Sequence, residues 1–227
     1  MAVQTTLSGI WGTNTITVNY GILYNYYATV DPKLLANVGW RVPTSTDIYT
    51  LHTTLGGTSS EGGKLKEVPL TYWTTPNTGA TDSVGFHARG GGLRLGSDGT
   101  FDYLNEYAFF RATTEYGTLP TLYSYIFQLF YDNDTIYIVG LLKTSGTSIR
   151  LIKETTTLSD GEIGYYIGND GKSYSTICIG TQEWLSTNLI ETKYRDFSAI
   201  PEVTNNATWS GLSTGALCAY NNDWTNL

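Results

Sequence analysis

The sequence predicts an α+β protein made mostly of short antiparallel strands, with one clear helix and long loops. Runs of Tyr, Ile, Val and Thr recur at strand spacing between Gly, Asn and Asp turn signals. A single stretch, residues 44–55, repeats apolar residues at helical spacing behind a capping residue. Charged residues make up only 15% of the 227, against 25 Gly and 18 Tyr, where an average soluble domain is about 25% charged. A chain 41% hydrophobic and 14% aromatic buries a core, and its length suits one β-rich domain better than two.

Residues 1–19 alternate Ile16 and Val18 with Thr15 and Thr17 and carry no charge, which predicts an N-terminal strand or attachment arm. Residues 20–28, Tyr-Gly-Ile-Leu-Tyr-Asn-Tyr-Tyr-Ala, predict a buried strand or tight core segment stopped by Asp31-Pro32. Gly39-Trp40-Arg41-Val42-Pro43 is an extended approach to the helix, since proline holds the residue before it out of helical geometry. Thr44 or Ser45 caps that helix, Asp47 complements its dipole, Ile48, Leu51 and Leu55 share one face, and Gly56-Gly57 ends it.

Residues 58–99 change to Gly, Ser, Thr and Asn with isolated aromatics, a long loop of the kind that carries function. Ser97-Asp98-Gly99-Thr100 is a hairpin turn, followed by Phe101, Tyr103 and the cluster Tyr107-Ala108-Phe109-Phe110-Arg111. Residues 123–130 and 135–142 predict two antiparallel strands around Tyr131-Asp132-Asn133-Asp134, and residues 147–153 a third. Residues 155–161 read as a joint. Beyond it, 163–167 and 173–179 form a hairpin about Asn169-Asp170-Gly171-Lys172, and 184–189 and 217–220 are further short strands.

Thirteen basic against twenty acidic side chains give a formal charge of −7, a field that repels polyanions, so nucleic acid is excluded as a partner. No apolar run approaches the roughly 18 residues of a membrane span, so no membrane insertion is expected. The start, Met-Ala-Val-Gln-Thr-Thr, lacks the features of a secretory leader. Cys178 and Cys218 read as two small buried thiols, with a single bridge as the alternative. His52 and His87 lack ligand-spaced partners, so no metal site is expected. The Thr, Ser, Asn, Tyr and Gly left for the surface are the mixture of extracellular and virion-surface β proteins.

A binding face is expected within residues 72–111. There Trp73, Asn77, Asp82, Arg94, Tyr103, Glu106, Tyr107 and Arg111 mix flat aromatic rings with planar polar groups, the chemistry of interface anchors. Core is the favoured reading for Trp73, Phe86 and Phe109, whereas Tyr103, Tyr107 and Arg111 are expected at the surface. The carboxylate pairs Asp102/Glu106 and Asp132/Asp134 sit beside turns, where Asp serves the backbone, so no catalytic residue and no cofactor is expected.

Several pieces together resemble the Fibrobacter succinogenes major paralogous domain, a branch of the C-type-lectin-like fold. They are residues 20–28, Gly39-Trp40-Arg41-Val42-Pro43-Thr44 with its helix, Gly62-Gly63-Lys64-Leu65-Lys66-Glu67, Trp73-Thr74-Thr75-Pro76-Asn77, Gly85-Phe86 and Ser148-Ile149-Arg150-Leu151-Ile152. The later half adds Asp170-Gly171-Lys172-Ser173-Tyr174, Ile179-Gly180-Thr181-Gln182-Glu183-Trp184, Asn188-Leu189, Thr192-Lys193-Tyr194-Arg195 and Tyr220-Asn221-Asn222-Asp223. The family order puts the later pieces first. The resemblance therefore implies a circularly permuted lectin-like domain over residues 20–227, with 164–227 as the family's opening strands and 154–163 as the new connection.

Lectin-like domains bind sugars, proteins or ice through their loops, so the fold alone does not name a ligand. Calcium-dependent sugar readers of the wider fold use Glu-Pro-Asn or Gln-Pro-Asp with Trp-Asn-Asp. The nearest runs here, Thr75-Pro76-Asn77 and Asn221-Asn222-Asp223, lack the first carboxylate and the Trp, so no such site is expected. The leading expectation is a non-catalytic phage virion surface protein, a fibre, tail or capsid-decoration component. It would contact host-surface glycan or protein and pack against other virion proteins, with monomer and homo-oligomer both open. The alternative is a bacterial secreted or cell-surface adhesion module. A catalytic relative of the sulfatase-activating enzymes, which share the fold group, is a distant third and requires reactive thiols.

Overall fold

The computed structural model describes residues 18–57 and 60–227, and in them the chain is mainly β with few helices. In order the elements are β1 (Leu23–Tyr24), α1 (Tyr26–Thr29), β2 (Trp40–Arg41), α2 (Ser45–Thr54), β3 (Gly91–Arg94), β4 (Phe101–Leu104), β5 (Tyr107–Glu115), β6 (Tyr123–Phe130), β7 (Tyr137–Leu142), β8 (Ile152–Lys153), β9 (Ile163–Ile167), β10 (Ser173–Ile179), β11 (Gln182–Leu185), α3 (Asn206–Ser210) and β12 (Leu217–Cys218). One five-stranded sheet runs β2-β8-β11-β10-β9, a second runs β4-β3-β5-β6-β7, and β1 pairs with β12.

Helix α2 forms where its sequence demands. The Thr44 hydroxyl accepts from the Asp47 amide while the Asp47 carboxylate accepts from the Thr44 amide, so two otherwise orphaned donors at the helix start are satisfied reciprocally. Arg41 grips the same carboxylate through both terminal nitrogens at 2.6 and 2.8 Å, which ties the helix start to β2. Ile48, Leu51 and Leu55 are buried on its inner face. Each contributes about 1.5–3 kcal/mol of apolar burial.

The first sheet is covered on both sides. Tyr166, Tyr174 and Leu185 point into a cluster with Ile22, Tyr24, Trp40 and Leu189. Ile152, Ile177, Ile179 and Trp184 point into a second cluster with the α2 face, Phe86 and Phe110. That second cluster lies between the two sheets, because Ala108, Phe110 and Ala112 of β5 and Phe127 and Leu129 of β6 enter it from the other side. The alternate residues Tyr107, Phe109 and Arg111 consequently face outward from the second sheet.

Residues 147–153 depart from the expected strand. Only Ile152–Lys153 pairs in a ladder, while Thr147 bridges to Tyr24 and Ser148 to Phe110. Further along, Ile149 and Leu151 carbonyls accept from Leu189 and Leu185. The segment crosses between sheets and divides its hydrogen bonds among four partners, so no single strand accompanies it. The run 20–28 is core as expected, but after β1 the Asn25 side chain accepts from Ala28 and turns the chain into the one-turn α1. The expected strand 184–189 ends at Leu185, and 217–220 leaves strand geometry after Cys218.

Residues beyond 164 pack against the segments at 20–30 and 147–153. Leu23 and Tyr24 pair with Cys218 and Leu217, and the Ile22 amide donates to Leu189. The Tyr174 hydroxyl donates to the Glu191 carboxylate at 2.6 Å, and the Tyr24 hydroxyl to the Glu191 carbonyl at 2.7 Å. Both cysteines are buried and free. The expected N-terminal arm lies outside the described residues except for Val18, which is buried, and Asn19.

Candidate ligand-binding face

The outer side of the second sheet carries a row of aromatic rings. Tyr107 and Phe130 are direct cross-strand partners on β5 and β6, and Tyr137 follows on β7 opposite Gln128. Strands about 4.8 Å apart bring such side chains into contact. The Tyr107 and Phe130 ring centroids lie 4.5 Å apart and those of Phe130 and Tyr137 4.9 Å, both edge to face. At the other end Tyr103 of β4 stacks on Tyr107 at 4.6 Å and 11° between planes. Tyr103, Tyr107 and Phe130 are half-buried and Tyr137 is 42% exposed.

Tyr103 holds its ring there at a cost. Its φ is +64°, a left-handed conformation that a bulky side chain enters at roughly 1–2 kcal/mol. The surrounding hydrogen bonds enforce it. The Tyr103 amide donates to the Asp102 carboxylate and its carbonyl accepts from Glu106. Asn105, also left-handed, donates its amide to Gly90, accepts from the Thr74 amide, and takes the Tyr20 hydroxyl at 2.5 Å on its side chain.

The rim of the row is acidic. Burial, and then the neighbouring charge of Asp132 ahead of Tyr103 and Glu106, pushes the Tyr107 hydroxyl above its ordinary pKa. Asp132 is exposed and Glu106 half-buried. The cations in contact with this region are turned inward. The Lys66 ammonium is buried and donates to the carbonyls of Thr78, Phe130 and Asn133 at 2.7, 2.8 and 2.8 Å. Arg111 closes the far end of the face, donating to the Ser124 and Thr147 hydroxyls and to the Leu142 and Ser145 carbonyls.

Of the eight residues expected to bind, Tyr103, Glu106 and Tyr107 lie together at this row. Four do not reach a surface, which corrects the expectation for them. Arg94 is wholly buried between the Trp209 and Phe101 rings, donating to Gly99, Val203, Thr204 and Asn206. Arg111 is equally buried, because the 143–147 turn covers its end of the sheet. Asn77 spends its side-chain amide on the Glu67 and Val68 carbonyls beside a cis Thr75–Pro76 peptide. Trp73 is core, its indole N–H donating to Ala88, and Phe86 and Phe109 are buried as expected. Asp82 is half-buried and paired with His87, away from the row by its contacts.

Phe130, Tyr137 and Asp132 were not among the expected residues. Phe130 and Tyr137 join the row through the register that pairs Tyr107 with Phe130 and Gln128 with Tyr137. A separate cavity of about 200 Å³ is lined by Asn19, Glu67, His87, Arg89, Arg150 and Asn188. Its arginines are committed, Arg89 to Glu67 and the Tyr72 ring, Arg150 to three carbonyls and Asn188. Among the described residues no group of three or more His, Cys, Asp or Glu side chains is placed to hold a metal ion, and no helix is long and apolar enough to cross a membrane.

The model of the Fibrobacter succinogenes major domain matches residues 11–153. No curated protein and no solved structure matches the chain.

Proposed function

The chain belongs to the Fibrobacter succinogenes major domain family, and from that premise we propose that it is a non-catalytic recognition module on a virion surface, in a fibre, tail or capsid decoration. In this reading the aromatic row from Tyr103 to Tyr137 contacts glycan or protein on the host. The observation that carries it is the stacked Tyr103–Tyr107 pair, held half-exposed on a strained turn. A chain with only 15% charged residues and 18 Tyr fits an exterior protein that recognises by aromatic and hydroxyl contact.

The fold proposed is the C-type-lectin-like one in permuted order. Residues 164–227 lie outside the matched stretch, so the support here is packing. The Tyr20 amide donates to the Asn226 carbonyl at 3.0 Å, and β1 pairs with β12. A chain joined at these ends and opened within 154–163 would run in the family's order, a change proteins tolerate where termini are adjacent.

The non-catalytic part rests on the thiols. Burial raises both, Cys218 to about 12, the opposite of what a reactive cysteine requires. The experiment is labelled full chain added to candidate bacterial cells, with Tyr103→Ala/Tyr107→Ala as control, together with mass spectrometry of purified particles. Cell binding lost in the control, and the chain present in particles, support the proposal. Cell binding unaltered by the control, or particles without the chain, overturn it.

A further inference from the structure

Resting on that reading, we infer that the ligand of the Tyr103–Tyr107 face is a neutral glycan whose C–H faces pack against the aromatic row, and that anionic sugars are rejected. The row steps from Tyr103 to Tyr107, Phe130 and Tyr137 at centroid separations of 4.6, 4.5 and 4.9 Å, long enough for more than one linked sugar. One side of a pyranose presents only C–H groups. These sit against the electron-rich face of an aromatic ring, which attracts positively polarised hydrogens. The sugar hydroxyls at the ring edge then meet the row's rim.

That rim selects for charge. Asp132 and Glu106, the two carboxylates whose charge reaches the Tyr107 hydroxyl, accept hydrogen bonds from sugar hydroxyls. The same carboxylates repel a sialic acid carboxylate or a phosphate. The cations that would invite one are withdrawn: Lys66 onto three carbonyls and Arg111 under the 143–147 turn. A protein-binding hot spot would offer arginine beside its aromatics, and the arginines here are buried. The net charge of −7 adds to the discrimination at long range.

The test is the full chain on a panel of neutral oligosaccharides and their sialylated and phosphorylated counterparts, with Tyr107→Ala, Tyr107→Phe and the double variant Glu106→Gln/Asp132→Asn. The expected result is retention on neutral glycans, weakened at least tenfold by Tyr107→Ala and little by Tyr107→Phe, which keeps the ring and reports that the fold is intact. The double variant is expected to narrow the gap between neutral and anionic sugars. Preference for anionic glycans overturns the inference. So does cell binding that depends on Tyr107 but survives periodate and is lost to protease, although the recognition reading then stands. Cell binding indifferent to Tyr107→Ala, or no binding to cells or glycans, overturns both.

Discussion

The amide of Tyr20 donates to the carbonyl of Asn226 at 3.0 Å, so the last turn of the chain is hydrogen-bonded to the residue that leads into the first core segment. From this contact follows the first prediction. A rearranged chain starting at Thr155, running through Leu227 and a short Gly/Ser linker into Val18, and ending at Glu154, folds cooperatively with a Tm within several degrees of the parent. The joint is suited to opening because residues 154, 155, 157 and 159–163 are exposed. Opening instead between Ser145 and Gly146, where the turn receives Arg111 and Arg94 contacts, is expected to abolish cooperative unfolding. Thermal melts of the two rearrangements decide the point.

The second prediction concerns acid. Burial raises the Asp47 carboxyl, but the hydrogen bonds from Arg41 and Thr44 outweigh it, leaving Asp47 below the ordinary carboxylate value. Glu183 is lowered in the same way, burial being outweighed by Thr156, Lys153 and Thr176. A depressed folded-state pKa gives stability that is present above the unfolded value, near 4 for these groups, and lost as pH falls through the folded one. Urea midpoints are therefore expected to hold from neutral pH to about 5 and to decline below about 4. Asp47→Asn should lower stability at pH 7 by about 1–2 kcal/mol, since Arg41 is partly exposed and solvent screening reduces its share. It should also flatten the acid decline. An unchanged pH profile in that variant would contradict the assignment.

The third prediction separates scaffold from recognition. Arg94 donates to three carbonyls and one side-chain amide oxygen with no carboxylate in the set. Arg94→Met leaves those buried acceptors unpaired, at a cost on the order of 3–5 kcal/mol, or a Tm about 10 °C lower. Glycan affinity per folded molecule is expected to stay at the parent value when measured well below that Tm. A specific loss of affinity without loss of stability would return Arg94 to the binding set.

Local signals were legible where one element decides the outcome. Thr44, Asp47, Ile48, Leu51 and Leu55 define α2 by capping and periodicity, and the Asp98-Gly99 and Asn169–Lys172 turns define their hairpins, because those choices depend on neighbours in sequence. Arg94 and Arg111 were misread for the converse reason. Arginine is seldom fully buried, and what buries these two, the 203–206 loop over Arg94 and the 143–147 turn over Arg111, comes from positions 30 to 110 residues away. Residues 147–153 look like one strand because their apolar alternation is intact, yet their hydrogen bonds go to several segments. At the candidate face, Tyr103 and Tyr107 were legible as aromatics between turns. Phe130 and Tyr137 required the register of β5 on β6, which pairs Tyr107 with Phe130.

The fourth prediction uses the backbone of Tyr103. At φ +64° an asparagine is tolerated far better than a tyrosine, because its short side chain visits the left-handed region readily. Tyr103→Asn therefore relieves strain of roughly 1–2 kcal/mol while losing a stacked pair worth about 0.5–1.5 kcal/mol beyond burial. The strain relief offsets part of that loss and of the ring's burial against Phe109, so the chemical-denaturation midpoint is expected to fall less than in Tyr107→Ala. Binding to neutral glycan should fall several-fold all the same, because Tyr107 loses the ring stacked on it at 4.6 Å. Tyr107→Ala, at a position without left-handed backbone, has no strain to relieve and is expected to lose both stability and binding. Equal losses of stability in the two variants would mean that the turn at residues 103–106 carries no strain. Unchanged binding in Tyr103→Asn would mean that the stacked pair does not form the platform.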